Sequence, residues 1–191
     1  MYSLQEQCNS SIHVGARSAL SLQGKSHYLE FSAKKIILFS SNSDGRLPAW
    51  FKNFDWGIEL ELHSSNFLPD DLGLFNFPAK EFNIMISGET RTLMECLHLV
   101  PHYQDLTECY ELIEGMNNLH PKKVQELLSN CHSIKVKRLF LYLAEKAKHE
   151  WFNHLDLSNI DLGSGKRKIV DEGALDEKYK ITVPKSWKSN G

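Results

Sequence analysis

The order of residue periodicities along the 191-residue chain predicts an α+β fold. The expected architecture is a small mixed or antiparallel sheet from the first half, packed with a C-terminal group of about four helices and a closing basic strand or tail. Three observations predict it. Short runs with alternating or continuous apolar character occupy residues 35–87, segments of helical period follow Gly88, and residues 156–191 are Gly-containing and basic. Strands first and helices later also argue against a repeated βαβ winding. We expect one domain over residues 1–191, made of a strand-rich part (1–88), a helical part (89–155) and the tail (156–191).

Near the start, "YSLQEQ" reads as the middle or end of a helix, with no capping residue before it. "HVGARSALSLQGK" (13–25) places Val14, Ala16, Ala19, Leu20 and Leu22 at mostly helical spacing and closes on Gly24, which predicts a short helix. "KIILFSS" (35–41) is a continuous apolar run between polar stretches, as a buried strand requires. "GIELELHSS" (57–65) alternates, with Ile58, Leu60 and Leu62 on one face and Glu59, Glu61 and His63 on the other. Between them "RLPAWFKNFDW" (46–56) carries Trp50, Phe51, Phe54 and Trp56 in a turn or short helix, either as a plug at the edge of a core or as a stacking platform. "GLFNFPA" (73–79) and "EFNIMIS" (81–87) complete the strands, the second with Phe82, Ile84 and Ile86 on one face.

Four segments then repeat the spacing of a helix with one buried stripe. They are carried by Leu93, Cys96, Leu97 and Val100; by Leu106, Cys109, Tyr110 and Ile113; by Val124, Leu127, Leu128 and Cys131; and by Val136, Leu139, Phe140, Leu143 and Ala147. The last also has Ile134 and Leu141 on its opposite side, so it is expected to be the central helix of the C-terminal half. Its charges are expected to be displayed, Lys135 and Arg138 with Tyr142 on one side and Lys137 with Lys148 on another. "DLGSGKRKIV" (161–170) and "EKYKITVP" (177–184) then read as a basic loop and a closing strand or extended tail.

A hydrophobic content of 41% and a charged content of 24% match soluble globular proteins, and no run approaches the roughly 18 apolar residues of a membrane span. The start has no basic segment followed by an apolar run, so the cytoplasm is the expected location. The four cysteines (Cys8, Cys96, Cys109, Cys131) are far apart without a CxxC pair, which favours reduced thiols over disulfides or metal ligands. A net charge of -2 hides an asymmetry. Residues 1–121 hold 8 Lys and Arg against 15 Asp and Glu, whereas residues 122–191 hold 14 against 9. Clustered cations of this kind favour contact with nucleic acid or an acidic protein, or form a solvated surface.

"LGSGKR" invites comparison with a phosphate loop, which needs glycine, four residues, then Gly-Lys-Ser/Thr so that backbone N–H groups cup the phosphates and the hydroxyl holds the metal. Here Ile160 stands where the first glycine belongs and Arg167 occupies the Ser/Thr position, so nucleotide binding of that type is not expected. Lys166, Arg167 and Lys168 can still approach phosphates or an acidic surface together. His98 and His102 have the spacing of helical metal ligands, but Pro101 between them disfavours one continuous helix. Glu108, Glu111 and Glu114 form an acidic helix face, and Asp70, Asp71, Lys80 and Glu81 are the only hint of a metal-dependent nuclease. No metal site, cofactor or catalytic group is expected.

The stretch "ECYELIEGMNNLHPKKVQELLSNCHSIKVKRLFLYLAEKAKHEWFNHLDLSNIDLGSGKRKIV" followed by "GALDEKYKITVPKSW" resembles the AbiEi antitoxin family of type IV toxin-antitoxin systems, as do "IHVGARSALSLQGKSHYL" and "RLPAWFK". The likeness runs from about residue 12 to 187, and "KVKRLFLYLAEK" and "LGSGKR" are its most specific parts. It implies a bacterial phage-defence protein that neutralises a cognate nucleotidyltransferase-like toxin and represses its own operon. In that family a winged helix-turn-helix at the N-terminus carries most operator binding, and the C-terminal domain carries antitoxicity. Before Ser11 there is no room for such a domain, so the chain looks like the C-terminal domain alone.

The resulting expectation is a non-enzymatic interaction domain with antitoxin activity. Its candidate contacts to DNA phosphates or a partner are Lys135, Lys137, Arg138, Lys166, Arg167 and Lys168. Two other classes stay open, a metal-dependent nuclease or phosphotransferase built on the acidic residues of the first half, and a DNA-binding module that works without any toxin.

Overall fold

The computed structural model describes residues 1–24, 35–40 and 46–187; Lys25 and Ser41, which close two of the segments read above, lie outside them. The chain falls into two compact units, Met1–Thr92 and Leu93–Gly191.

The first unit is built on a five-stranded mixed sheet. Its strands are β1 (His13–Val14), β2 (Lys35–Ser40), β3 (Glu59–Ser64), β4 (Leu74–Ala79) and β5 (Phe82–Ser87), in the order β3-β2-β1-β5-β4. β1 runs antiparallel to β2 and parallel to β5, and β4 and β5 form a hairpin in which Ala79 faces Phe82. Lys80 takes a positive φ of 58° in its two-residue turn, the backbone that tight hairpins demand.

β1 is a correction to the sequence reading, which placed His13 and Val14 in a helix. Val14 instead pairs with Leu38 on one side and Ile86 on the other, so two residues close the middle of the sheet. Gly15, extended at φ -131° and ψ -173°, separates this strand from α1 (Ala16–Leu22), which is followed by Gly24 at φ +67°. Leu4, Ile12, Val14, Ala19, Leu38, Phe51, Ile84 and Ile86 make the core of the unit. Each of these side chains other than Ala19 contributes about 1.5–3 kcal/mol when taken from water. The first residues form a single π-helical turn, Ser3–Gln7, rather than a longer helix end. Gln5 anchors it, donating from Nε2 to the carbonyls of Ile12 and Met85 at 2.9 Å and accepting from the Met85 amide. In α2 (Ala49–Lys52) Phe51 enters the core and its carbonyl accepts from Trp56 Nε1 at 2.8 Å, while Trp50, Phe54 and Trp56 stay exposed.

The four helical segments appear as α3 (Glu89–Leu99), α4 (Leu106–Glu114), α5 (Pro121–Ser129) and α6 (Ile134–Lys146). Local chemistry starts three of them. Asp105 accepts from the amides of Thr107 and Glu108, Ser133 accepts from Val136, and Pro121 opens α5 with the φ a first turn needs. α6 is buried on both sides, Val136, Leu139, Phe140 and Leu143 on its main stripe and Leu141 opposite, as expected of a central helix. Trp151 packs at 6.0 Å from Phe140, and its Nε1 donates to the Met116 carbonyl. Beyond it, β6 (Ala174–Asp176) and β7 (Ile181–Val183) pair antiparallel, and Arg167 adds a parallel bridge to Ile181.

All four cysteines are free, and Cys96, Cys109 and Cys131 are buried. Burial pushes the Cys109 thiol upward and raises that of Cys131 to about 11. Among the described residues no helix is long and apolar enough to cross a membrane.

Candidate functional site

The basic stretch of α6 is held very differently from the expected display. Arg138 is only 1% exposed, and Lys137 only 5%. The reason lies in the tail: Arg138 donates from Nε to the Leu162 carbonyl at 2.6 Å and from Nη1 to those of Gly165 and Lys180 at 2.5 and 3.2 Å. A planar guanidinium serves the three carbonyls from two nitrogens held in a fixed fork, a geometry that the single ammonium of a lysine does not reproduce. Lys135 is half-buried and points away from this cluster, its Nζ donating to the carbonyls of His98 and Val100 at 2.7 and 2.6 Å at the end of α3. Those are carbonyls that a helix terminus leaves without partners, and a cation satisfies them well. Desolvation holds the Lys135 ammonium below its usual pKa.

The loop that Arg138 grips has its own local logic. Gly163 sits at φ +62°, and its amide donates to Asp161 Oδ1 at 2.8 Å, so the chain reverses over Ile134. Arg167 then joins β7 through both backbone groups, its amide to the Lys180 carbonyl at 2.9 Å and its carbonyl from Thr182 at 3.0 Å. Lys180 Nζ donates to the Ser164 carbonyl at 3.3 Å, and Thr182 Oγ1 accepts from the amides of Ile169 and Val170. The result is a loop pinned at both ends, with Lys166, Arg167 and Lys168 exposed along it.

Of the six basic residues, the structure brings Arg138, Lys166 and Arg167 to one pocket of about 260 Å³, lined also by Ile134, Gly163, Ser164 and Gly165. Lys168 is taken up by Asp171 at 2.6 Å, whereas the Lys166 and Arg167 side chains pair with no described residue. Burial first, and then the charge of Arg167, lowers the pKa of Arg138, while Asp161 opposes the shift. The pocket thus holds more positive than negative charge. Sequence reasoning missed Ser164 and the tie from Lys180, because the pairing of Arg167 with Ile181 is non-local and leaves no periodic trace.

The other candidates separate. Asp70 and Asp71 precede β4, whereas Lys80 and Glu81 form the turn after it, so the length of a six-residue strand, roughly 17 Å, lies between them. They cannot share one metal ion. α3 stops at Leu99, ahead of Pro101, and leaves His102 outside the helix that carries His98. Glu108 accepts from Gln104, and Glu114 accepts from Tyr110 Oη at 2.8 Å, which marks the acidic face of α4 as a hydrogen-bonded surface. Among the described residues no group of three His, Cys, Asp or Glu is placed to hold a metal ion.

Residues 33–184 match the family profile described as "Transcriptional regulator, AbiEi antitoxin, Type IV TA system". Residues 1–31 match that of the AbiEi antitoxin N-terminal domain, so the likeness reaches further toward the start than the sequence reading carried it. The fold is similar to the crystal structure of the RV2827C protein from Mycobacterium tuberculosis, with a TM-score of 0.65 over 94% of this chain. Sequence identity there is 12%, which makes this a likeness of fold alone, and the chain spans 64% of that protein's length. None of the curated proteins matches the chain in sequence.

Proposed function

The chain belongs to the AbiEi antitoxin family of type IV toxin-antitoxin systems, a family of transcriptional regulators, and from that premise we propose that it neutralises a nucleotidyltransferase-like toxin in the cytoplasm. It does so without catalysis of its own, and it represses its own operon. The observation that carries this reading is the family match over residues 33–184. The separation of Asp70 and Asp71 from Lys80 and Glu81 removes the support for a nuclease.

Within this reading the exposed loop cations Lys166, Arg167 and Lys168 touch the partner or DNA phosphates. Arg138 contributes from beneath by holding the loop, and Lys135 by tying α6 to the end of α3; Lys137 is buried on α6. Co-expression with the toxin encoded beside it tests the proposal. The chain should restore growth, and continued arrest with the antitoxin present as folded protein refutes it.

The basic tail favours one other reading, a DNA-binding module that needs no toxin. It requires that the protein retard operator DNA with a steep salt dependence, lost on charge reversal at Lys166 and Arg167. Failure to bind at low salt eliminates it.

A further inference from the structure

We infer that the pocket under the 161–167 loop is an oxyanion site that takes a phosphate group. This deepens the reading of the loop as a contact surface and rests on it. Arg138 carries the argument. Its three hydrogen bonds use Nε and Nη1, and no described residue accepts from Nη2. That nitrogen is not among the sealed, unpartnered polar atoms of the described residues, so it keeps some accessible surface, and Arg138 is one of the residues that line the pocket. A buried guanidinium with two N–H donors unspent costs free energy unless an acceptor arrives.

The surrounding charges select the acceptor. Arg138, Lys166 and Arg167 line the pocket and Lys180 is tied to its Ser164 carbonyl, with Asp161 the nearby acid that acts on Arg138. One carboxylate would offset a single cation of this excess, whereas a phosphate brings more charge and three or four acceptor oxygens to donors arriving from several directions. Arg167 and Arg138 also repel each other across the site, which an anion between them relieves. A volume of about 260 Å³, below the roughly 300–1,000 Å³ of ordinary small-molecule sites, has room for a phosphate group and its attachment. The failed phosphate-loop spacing is consistent with this, because the charge comes from side chains and not from a run of backbone N–H groups.

The test is a titration of the full chain with inorganic phosphate, followed by NMR at constant ionic strength. The amides of Gly163, Ser164, Gly165 and Arg167 should shift and saturate. In the Lys166→Ala, Arg167→Ala double variant, whose lost side chains pair with no described residue and whose fold should persist, binding should weaken at least about tenfold, the worth of one charge-assisted hydrogen bond. Two further arms name the source. A short DNA duplex that shifts the same amides at lower concentration assigns the site to the nucleic-acid backbone, and a nucleoside monophosphate that outcompetes the duplex assigns it to a terminal phosphate. Shifts that do not saturate, shifts unchanged in the double variant, or acetate binding as tightly as phosphate would overturn the inference. Growth rescue by the same double variant is scored separately, so the oxyanion site and the antitoxin reading can fail independently.

Discussion

Replacing Arg138 by Met removes the group that ties the tail to α6 while keeping an apolar stem of similar length. Three hydrogen bonds to carbonyls disappear, on Leu162, Gly165 and Lys180. Bonds from a charged donor are worth about 1.5–3 kcal/mol each, so the gross loss is about 5–9 kcal/mol. Two terms offset it. The Lys180 carbonyl keeps the Arg167 amide and that of the exposed Gly165 can turn to water, and the cost of keeping a cation in a site 1% exposed is relieved. We expect a net loss of about 3 kcal/mol, which for a chain of this length lowers the thermal midpoint by about 6–12 °C. Trypsin should also cut faster at Lys166 and Arg167, since the loop then keeps its backbone bonds to β7 and the tie from Lys180 to Ser164 but loses its anchor on α6. Arg138→Lys should fall between, because it keeps the charge and loses the fork. A midpoint within about 2 °C of the parent, a shift worth less than 1 kcal/mol, would refute the claim that Arg138 secures the loop.

The glycines of the tail should respond unequally to alanine. Gly173→Ala brings a Cβ to 2.6 Å from the Val183 carbonyl oxygen and should cost about 1–3 kcal/mol in urea denaturation, whereas Gly165→Ala meets open space and should be near neutral. Gly163→Ala should lose about 1–2 kcal/mol from its φ of +62° alone, and a neutral result would show that the turn relaxes. Alkaline pH should destabilise the protein. The Cys131 thiol is raised from 9.0 to about 11, so below pH 9 its contribution is whole, and between 9 and 11 the unfolded chain releases the proton first and up to about 2–3 kcal/mol is lost. Denaturation midpoints at pH 8 and above should show this fall, and Cys131→Ala should flatten part of it; an equal fall in the variant argues against the assignment. Asp105→Ala uncaps α4 and should cost about 1 kcal/mol by the same measurement, with full stability in the variant showing that the cap bonds to Thr107 and Glu108 carry no weight.

Much of the helical half was legible because its signals are local. The apolar spacing of Val136, Leu139, Phe140 and Leu143, with Ile134 and Leu141 behind it, identifies a helix packed on two sides wherever the rest of the chain goes. The strands β4 and β5 were legible for the same reason, since Phe82, Ile84 and Ile86 alternate within one segment, whereas their pairing as a hairpin came from the structure. β1 was not legible. Two residues carry no period, and the helical spacing of the segment that follows them outweighed them until Leu38 and Ile86 arrived as partners.

The candidate site divides along the same line. From the sequence alone came the excess of cations after residue 121, the failure of the phosphate-loop spacing at Ile160 and Arg167, and the grouping of Lys166, Arg167 and Lys168 on one loop. Only the tertiary structure decided that Arg138 lies beneath that loop and Lys135 at the end of α3, although they stand on the same helix as neighbours in the "KVKR" run. Composition counts charge without regard to what covers it. Which cation stays in water depends on which backbone carbonyls are left without partners nearby, and those of Leu162, Gly165 and Lys180 reach Arg138 from 24, 27 and 42 residues away.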